Sequence, residues 1–326
     1  MAVALLVGLA LAFALMNGFN DSGSLVATLV STGAVGMRRA LFIAALANFA
    51  GCFLFGVAVA QIIGQGIVEP TGITLLSVGA ALLAALAWHA FAVPLGIPSS
   101  SSYALIGGLM GGGVGAGGLQ VIELTGIRIL ILSFVLAPLM AGLAAWLTLR
   151  VTLWLARGAS PSINATFRRS QLVTAVLLAL SHGTSNGQKT MGIIALVLLL
   201  GGVTPSFEVL PWVKVASATA LSLGIALGGW QIIRTLGARL LRLRPIHGFV
   251  AQLTAGLVMV AATLLGGPVS LNQIAGAAIV GAGSADRLSK VRWEVARQLV
   301  FAWVITLPAT AGAAFLIYRA LQMVIG

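Results

Sequence analysis

Charged side chains are scarce in this chain, and acidic ones scarcest. Asp and Glu together number 6 among 326 residues, against 18 Lys and Arg. Charged residues make up 7%, where a water-soluble domain carries roughly 25%, so a fully hydrated surface is excluded. The single Cys52 excludes a disulfide framework and a cysteine metal cluster. No basic segment precedes the apolar start Met1–Leu15, so no cleavable signal peptide is expected and these residues read as part of a first span. Period-two alternation is lacking too, and its lack argues against a β-barrel. No nucleophile–base pair or metal-ligand set stands out, so an enzyme is not expected. The net charge of +12 does not point to nucleic acid, because the Arg and Lys residues fall in short loops, where they set membrane orientation.

What remains is apolar. The hydrophobic fraction is 60% and the mean hydropathy is +1.10. At about 20 residues per helical crossing, roughly ten spans fit, and the continuous Leu/Ala-rich runs predict an all-α polytopic membrane protein. The expected runs are Met1–Val35, Ala40–Ile63, Ile73–Ala92, a glycine-rich piece ending at Gly118, and Gly126–Leu155. In the second half they are Leu172–Gly202, Lys214–Ile233, Phe249–Leu265, a segment ending at Gly283, and Leu299–Met323. Two polar stretches interrupt this pattern, Asn17–Ser24 and Ser181–Gly192, and both are expected to break their helices. Trp88, Trp154, Trp212 and Trp293 sit near predicted span ends, as interface anchors do.

The two halves repeat. Gly18 in the first polar stretch is answered by Gly183, 165 residues later, and Gly96-x-Pro98-x-Ser100 by Gly266-x-Pro268-x-Ser270, 170 residues later. Two motifs in one order at nearly one offset indicate duplication. The expected division is residues 1–157 as one membrane repeat, 158–169 as a cytoplasmic linker and 170–326 as a second repeat. With the basic loops around Arg38/Arg39, Arg150–Arg169, Arg234–Arg244 and Arg287–Arg297 in the cytoplasm, each half takes about five passes and both termini lie outside. An odd number inverts the second half. Inverted repeats with interrupted helices are a plan of secondary transporters, whose substrates bind near the bilayer midplane.

The polar segments suggest what would be handled there. Pro98 with Ser99–Ser102, and Pro268 with Ser270, look like helix starts, with proline near the first turn and hydroxyls at the cap. Two such N-termini could clamp an oxyanion between their N–H groups; close packing of small residues, as Gly107-x-x-x-Gly111 suggests, is the plainer use. Asp21 is the one acidic residue in the first two spans. A mid-membrane carboxylate costs about 2.5–3.5 kcal/mol, so it could hold a coupling cation with Asn20, carry a proton, or pair with Lys189. Lys189 could instead face an anion, with Gln188 and Asn186 as non-titrating partners. His182 could cap, fill a core or relay a proton, while His89 and His247 have no metal-type partners at helical spacing.

Gly18-Phe19-Asn20-Asp21 and His182-Gly183-x-x-x-Gly187-Gln188-Lys189-Thr190-Met191-Gly192 resemble the paired signature segments of the inorganic phosphate transporter family, the PiT permeases. Gly96-x-Pro98-Ser99-Ser100-Ser101-Ser102 and Gly266-x-Pro268-Val269-Ser270 resemble that family's paired glycine-proline-serine/threonine segments. The resemblance runs from about Val7 to Tyr318. It implies cation-coupled uptake of inorganic phosphate in the cytoplasmic (inner) membrane, driven by a proton or sodium ion. Family members also include carriers of phosphate as a metal complex, and close relatives carry sulfate. The chain departs from the family pattern where Ser185-Asn186 replaces Asn-Asp, Ser24 replaces Asn, Tyr103 and Gln273 replace His, Leu271-Asn272 replaces two threonines, and Gln252 replaces Glu.

The expected site follows from these readings. Substrate contacts are Ser99, Ser100, Ser101, Ser270, Gln188, Lys189 and Ser185; coupling-ion ligands are Asp21, Asn20, Asn186 and Thr28. No cofactor beyond H+ or Na+ is expected. The partners are phosphate, the lipid bilayer and, in a homodimer, a second copy of the chain. Two other readings stay open: a permease for sulfate or another oxyanion, and a non-transporting membrane sensor or partner protein that kept the fold while losing its second carboxylate.

Overall fold

A computed structural model describes residues 1–97, 99–160, 162–228, 233 and 243–325. The described chain is helical apart from one isolated bridge between Val68 and Ile122. In hydrocarbon every backbone group must be satisfied within its own segment, which leaves the helix as the default. The long helices are α1 (Ala2–Ser31), α2 (Met37–Gly51), the short α3 (Ala58–Gln61), α4 (Leu75–Ala92), α5 (Ser101–Gly117) and α6 (Leu124–Leu155). The second half supplies α7 (Ile163–Leu200), α8 (Pro211–Leu227), α9 (Pro245–Leu264), α10 (Leu271–Asp286) and α11 (Trp293–Ile325). Among the described residues, α1, α4, α6, α9 and α11 are long and apolar enough to cross a membrane.

Three expectations are corrected. The polar stretches Asn17–Ser24 and Ser181–Gly192 do not break their helices: α1 and α7 run through them without interruption. Asp21, Ser24, His182, Asn186, Gln188 and Lys189 find partners on neighbouring elements, so the backbone keeps its own ladder. The run Ala40–Ile63 is not one span, because α2 stops at Gly51 and a turn leads to α3 and a π-turn over Ile62–Gly66. The helix of the second half begins earlier than Leu172, at Ile163, inside the expected linker. The end of the run Lys214–Ile233, the cluster Arg234, Arg239 and Arg242, and Pro98 lie outside the described residues, save Ile233 itself.

The real interruptions fall between α4 and α5 and between α9 and α10. With 17 and 16 residues, α5 and α10 are roughly 25 Å long at 1.5 Å per residue, short of a full crossing when tilted. Ser100 caps α5, accepting from the Tyr103 N–H at 3.2 Å, and Ser270 stands at the N-cap of α10. Each cap follows a glycine with positive φ, Gly96 at 65° and Gly266 at 75°, where an L side chain would be strained.

Neighbour relations exchange between the halves. α5 packs on α11 as α10 packs on α6, and α1 packs on α8 as α2 packs on α7. The α1–α8 contact is closed by reciprocal glycines: Gly18 lies against the Leu221 carbonyl and Gly224 against that of Leu15. The α2–α7 contact repeats this, with Gly51 against Leu180 and Gly183 against Asn48. Gly107 and Gly111 of α5 lie against the carbonyls of Leu307 and Ala311 on α11, so the close-packing reading of that motif holds. Two apolar clusters flank a polar layer. One takes Leu6, Ala10 and Phe13 from α1 and Met191, Ile193 and Ile194 from α7; the other takes Leu25, Val26 and Leu29 from α1 and Ala175, Leu178 and Ala179 from α7. α1 thus passes from the first cluster to the second and α7 the opposite way, so the two helices are antiparallel.

A Gly111→Leu substitution is expected to force α5 from α11. Overpacking of this kind costs about 1–3 kcal/mol, and a lower unfolding temperature of the purified protein in detergent is the measurement that checks it.

Candidate functional site

The polar layer is centred on Asp21, which is 1% exposed. Its carboxylate accepts from five side chains. Oδ1 takes the Nδ2 groups of Asn20 and Asn272, each at 3.0 Å. Oδ2 takes Asn186 Nδ2 at 3.1 Å and Ser101 Oγ at 3.4 Å, and faces His182 Nε2 at 3.1 Å. A buried carboxylate is tolerable only when so many donors replace its water. Helical spacing explains the set on α7: His182, Asn186 and Lys189 stand four and three residues apart, so they share one face.

Lys189 is fully buried. Its ammonium donates to Asn186 Oδ1, and at 2.5 Å each to Ser102 Oγ and the Val269 carbonyl. Asn186 therefore stands between the one acid and the one lysine of the layer. Ser102 Oγ also donates to the Val269 carbonyl, at 2.9 Å. Asn20 and Asn272 both donate to the Ser99 carbonyl, at 3.1 and 2.6 Å, and Ser24 donates to Asn272 Oδ1. The interruptions before α5 and α10 are thereby pinned to one another and to α1 and α7.

The structure brings Asp21, Asn20, Ser99, Ser101, Asn186 and Lys189 into one network. It places Ser100 as a helix cap and Ser270 at the start of α10, beside Val269. Gln188 is used differently, since its Oε1 accepts from the Val59 and Ala60 N–H groups at 2.9 and 3.4 Å and so holds the start of α3. Thr28 lies two turns along α1 from Asp21, where it accepts from Gln252 Nε2 at 2.6 Å; Gln252 Oε1 accepts from Thr174 at 2.7 Å. Ser185 Oγ, Asn20 Oδ1 and Ser99 Oγ are buried without a partner among the described residues.

Sequence reasoning passed over four members. Ser24, Ser102 and Asn272 were visible only as part of a hydroxyl run or as departures from a family pattern. Asn48 sat unremarked in an apolar span, which was itself the available signal. Its Oδ1 is 2.6 Å from His182 Nδ1, and its Nδ2 donates to Ser222 Oγ at 2.9 Å. His182 is therefore a member of the centre, held between Asn48 and Asp21.

The centre is closed. A void of about 10 Å³ beside Ser24, Thr28 and Gln252 has room for one water at most. A wider cavity of about 720 Å³, lined by Trp88, Phe91, Leu95, Arg297 and Phe301 among others, shares no residue with the centre.

Comparisons with known proteins agree in one direction. The phosphate transporter family matches over residues 17–314. A protein of Rhizobium meliloti described as a probable low-affinity inorganic phosphate transporter is 40% identical over 99% of this chain and 98% of its own. A protein of Bacillus subtilis with the same description is 38% identical over 98% of this chain and 97% of its own. A solved structure described as the sodium-dependent phosphate transporter superposes with a TM-score of 0.89 over 100% of both chains, at 23% identity.

Replacing Asn48 by Leu removes the partner of a buried ring nitrogen. An unsatisfied buried group costs about 1–3 kcal/mol, so thermal unfolding of Asn48→Leu in detergent is expected at a lower temperature than for the unaltered protein, with Ser222→Ala affected less.

Proposed function

Since the chain belongs to the phosphate transporter family, we infer that it carries inorganic phosphate across a membrane, together with a cation that Asp21 holds. It is a multi-pass membrane protein and a transporter, not an enzyme. The observation that carries the coupling reading is the charge count of the buried centre. Asp21 and Lys189 cancel, and Asn186 stands where the family pattern has a second acid. Phosphate entering alone would bury uncompensated negative charge, at a cost of several kcal/mol. A cation entering with it removes that cost.

The anion seat lies where the starts of α5 and α10 converge. Their first-turn N–H groups are unpaired within the helix and carry the positive end of the dipole. Ser99, Ser100, Ser101 and Ser270 add hydroxyls, Ser185 lies on the facing helix, and Lys189 adds an ammonium. In the closed arrangement Lys189 is engaged with Ser102 and Val269; phosphate oxygens would take over those bonds. For the cation the fit is to oxygen: the Asp21 carboxylate, Asn20 Oδ1 and Ser99 Oγ, the last two unpartnered among the described residues. Asn186 contributes an amide oxygen once Lys189 has turned to the anion. Sodium suits such oxygens, and a proton suits the Asp21–His182 pair. Gln188 and Thr28 support the architecture around the seat rather than the ions.

Access alternates by movement of one half against the other, and three features support that reading. The neighbour relations exchange between halves, α1 and α7 are antiparallel, and an apolar cluster closes the polar layer on each side. All three are what inverted repeats around a midplane site produce. The reading puts the carrier in the cytoplasmic membrane, and the bias of the basic loops supports an orientation with both termini outside. Sulfate is the second reading, since hydroxyls and N–H groups suit either tetrahedral anion.

Uptake of labelled phosphate into proteoliposomes under imposed sodium or proton gradients tests the reading. Gradient-dependent uptake, competed strongly by unlabelled phosphate and weakly by sulfate, is expected; uptake at the level of empty vesicles would sink it. Lys189→Met and Asp21→Asn each remove one of the two charges on which the proposed seat depends, and each is expected to slow uptake by roughly a hundredfold, about 2.7 kcal/mol in the barrier. Asn186→Asp places a second carboxylate against Asp21, and its uptake is expected to rise more steeply with cation concentration than that of the unaltered protein.

A further inference from the structure

A second group of buried polar atoms lies beside the centre, and the transport reading leaves it without a role. His89 on α4 is fully buried, and neither ring nitrogen has a partner among the described residues. Asn17 on α1 is also fully buried, with neither amide atom partnered. Four orphaned atoms on two packed helices are costly if left dry.

The helix geometry brings them together. α1 packs on α4, and the Phe13 and His89 rings lie 5.8 Å apart. Two turns beyond the point where α1 meets His89, Asn20 donates to the Ser99 carbonyl. Asn17 follows Phe13 by four residues and precedes Asn20 by three, so it occupies the same face between the two contacts. The orphaned groups are therefore ordered along α1: the His89 ring beside Phe13, the Asn17 amide one turn on, then Asn20 Oδ1 and Ser99 Oγ. The series ends at Asp21, to which Asn20 donates. It lies on the N-terminal side of Asp21, which the orientation above places toward the outside.

The donor set decides the ligand. A hard cation such as sodium needs several oxygens, and His89 with Asn17 offers one oxygen beside nitrogen donors and acceptors. Water, which donates and accepts, matches that set, and imidazole is the side chain that gains and loses a proton near neutrality. We propose that His89 and Asn17 form a water-holding, proton-loading site on the outer side of Asp21. A hydronium ion arriving from outside gives its proton to a His89 ring nitrogen and leaves as water. The proton then passes along the Asn17 waters toward the Asp21 carboxylate. The helices packed on α4 carry Asp21 on α1, Tyr103 on α5, His182 and Lys189 on α7, and Glu294 and Arg297 on α11. Of these, Asp21 ends the series and attracts the proton.

This inference rests on the reading that phosphate enters with a cation at Asp21, and it names that cation's source. The test compares the unaltered protein, His89→Gln and Asn17→Leu in vesicles loaded with a pH-sensitive dye, with phosphate added outside over a range of external pH. Phosphate titrates identically in all three, so a difference between them reports the protein. The proton signal per phosphate is expected to be lost in His89→Gln and Asn17→Leu, and the acid-side rise of uptake with it. Identical pH profiles and proton signals would overturn the proposal. Nitrogen-15 spectra of labelled His89 in the unaltered protein give a second measurement that needs no transport. A ring that gains a proton between about pH 8 and pH 5, with a shifted midpoint in Asn17→Leu, is expected. A ring that never titrates overturns the inference even if vesicles take up no phosphate, and that second failure would belong to the transport reading alone.

Discussion

The arrangement depends on one electrostatic constraint: a carboxylate and an ammonium, both out of water, that do not touch. Asn186 holds them apart, donating to Asp21 and accepting from Lys189. A direct buried salt bridge would satisfy both charges and leave neither available. Separation by an amide keeps each charge paid in hydrogen bonds that can be exchanged. The pinned helix starts, the apolar clusters on either side and the glycine-closed helix pairs can all be understood as what holds that separated pair in place.

The short helices α5 and α10 acquire their meaning from this. On the proposed placement each begins inside the membrane, where unpaired N–H groups would ordinarily be intolerable. They begin at the polar layer, so the cost of the interruption is met by Ser100 at one cap and by the side chains of α1 and α7. Lys189 reaches the carbonyl of Val269 and the hydroxyl of Ser102, which ties both starts to one movable charge. On the proposed reading, an anion that draws the ammonium away loosens the two interruptions together, which would link binding to movement of the halves.

The all-helical membrane class and the two helix starts were legible in the sequence, because apolar runs and Gly-x-Pro-x-Ser punctuation report directly on backbone demands. The polar stretches were legible as sites but misread as breaks. Polar residues spaced three and four apart, as Asn17, Asp21, Ser24 and Thr28 are, belong on one face of an intact helix, and it is the backbone of Gly96 and Gly266, not the side chains of Asn20 or Asn186, that interrupts. Asn48 and Asn272 were hidden for another reason. Their roles come from helices brought together by the fold, and no local pattern announces a partner 134 or 251 residues away. Gln188 shows the converse, a motif residue whose side chain turned out to hold α3.

On the proposed reading, phosphate and a cation share one neutral-to-neutral binding event at Asp21 and Lys189. Binding of phosphate to the purified protein in detergent, titrated at several sodium concentrations and several pH values, tests it most directly. Linkage requires that phosphate tighten the cation by the same factor as the cation tightens phosphate. Phosphate affinity is expected to rise with sodium or proton activity, and Asp21→Asn to remove the dependence. Phosphate binding that is equally tight at every sodium concentration and pH, after allowing for the anion's own titration, would contradict it.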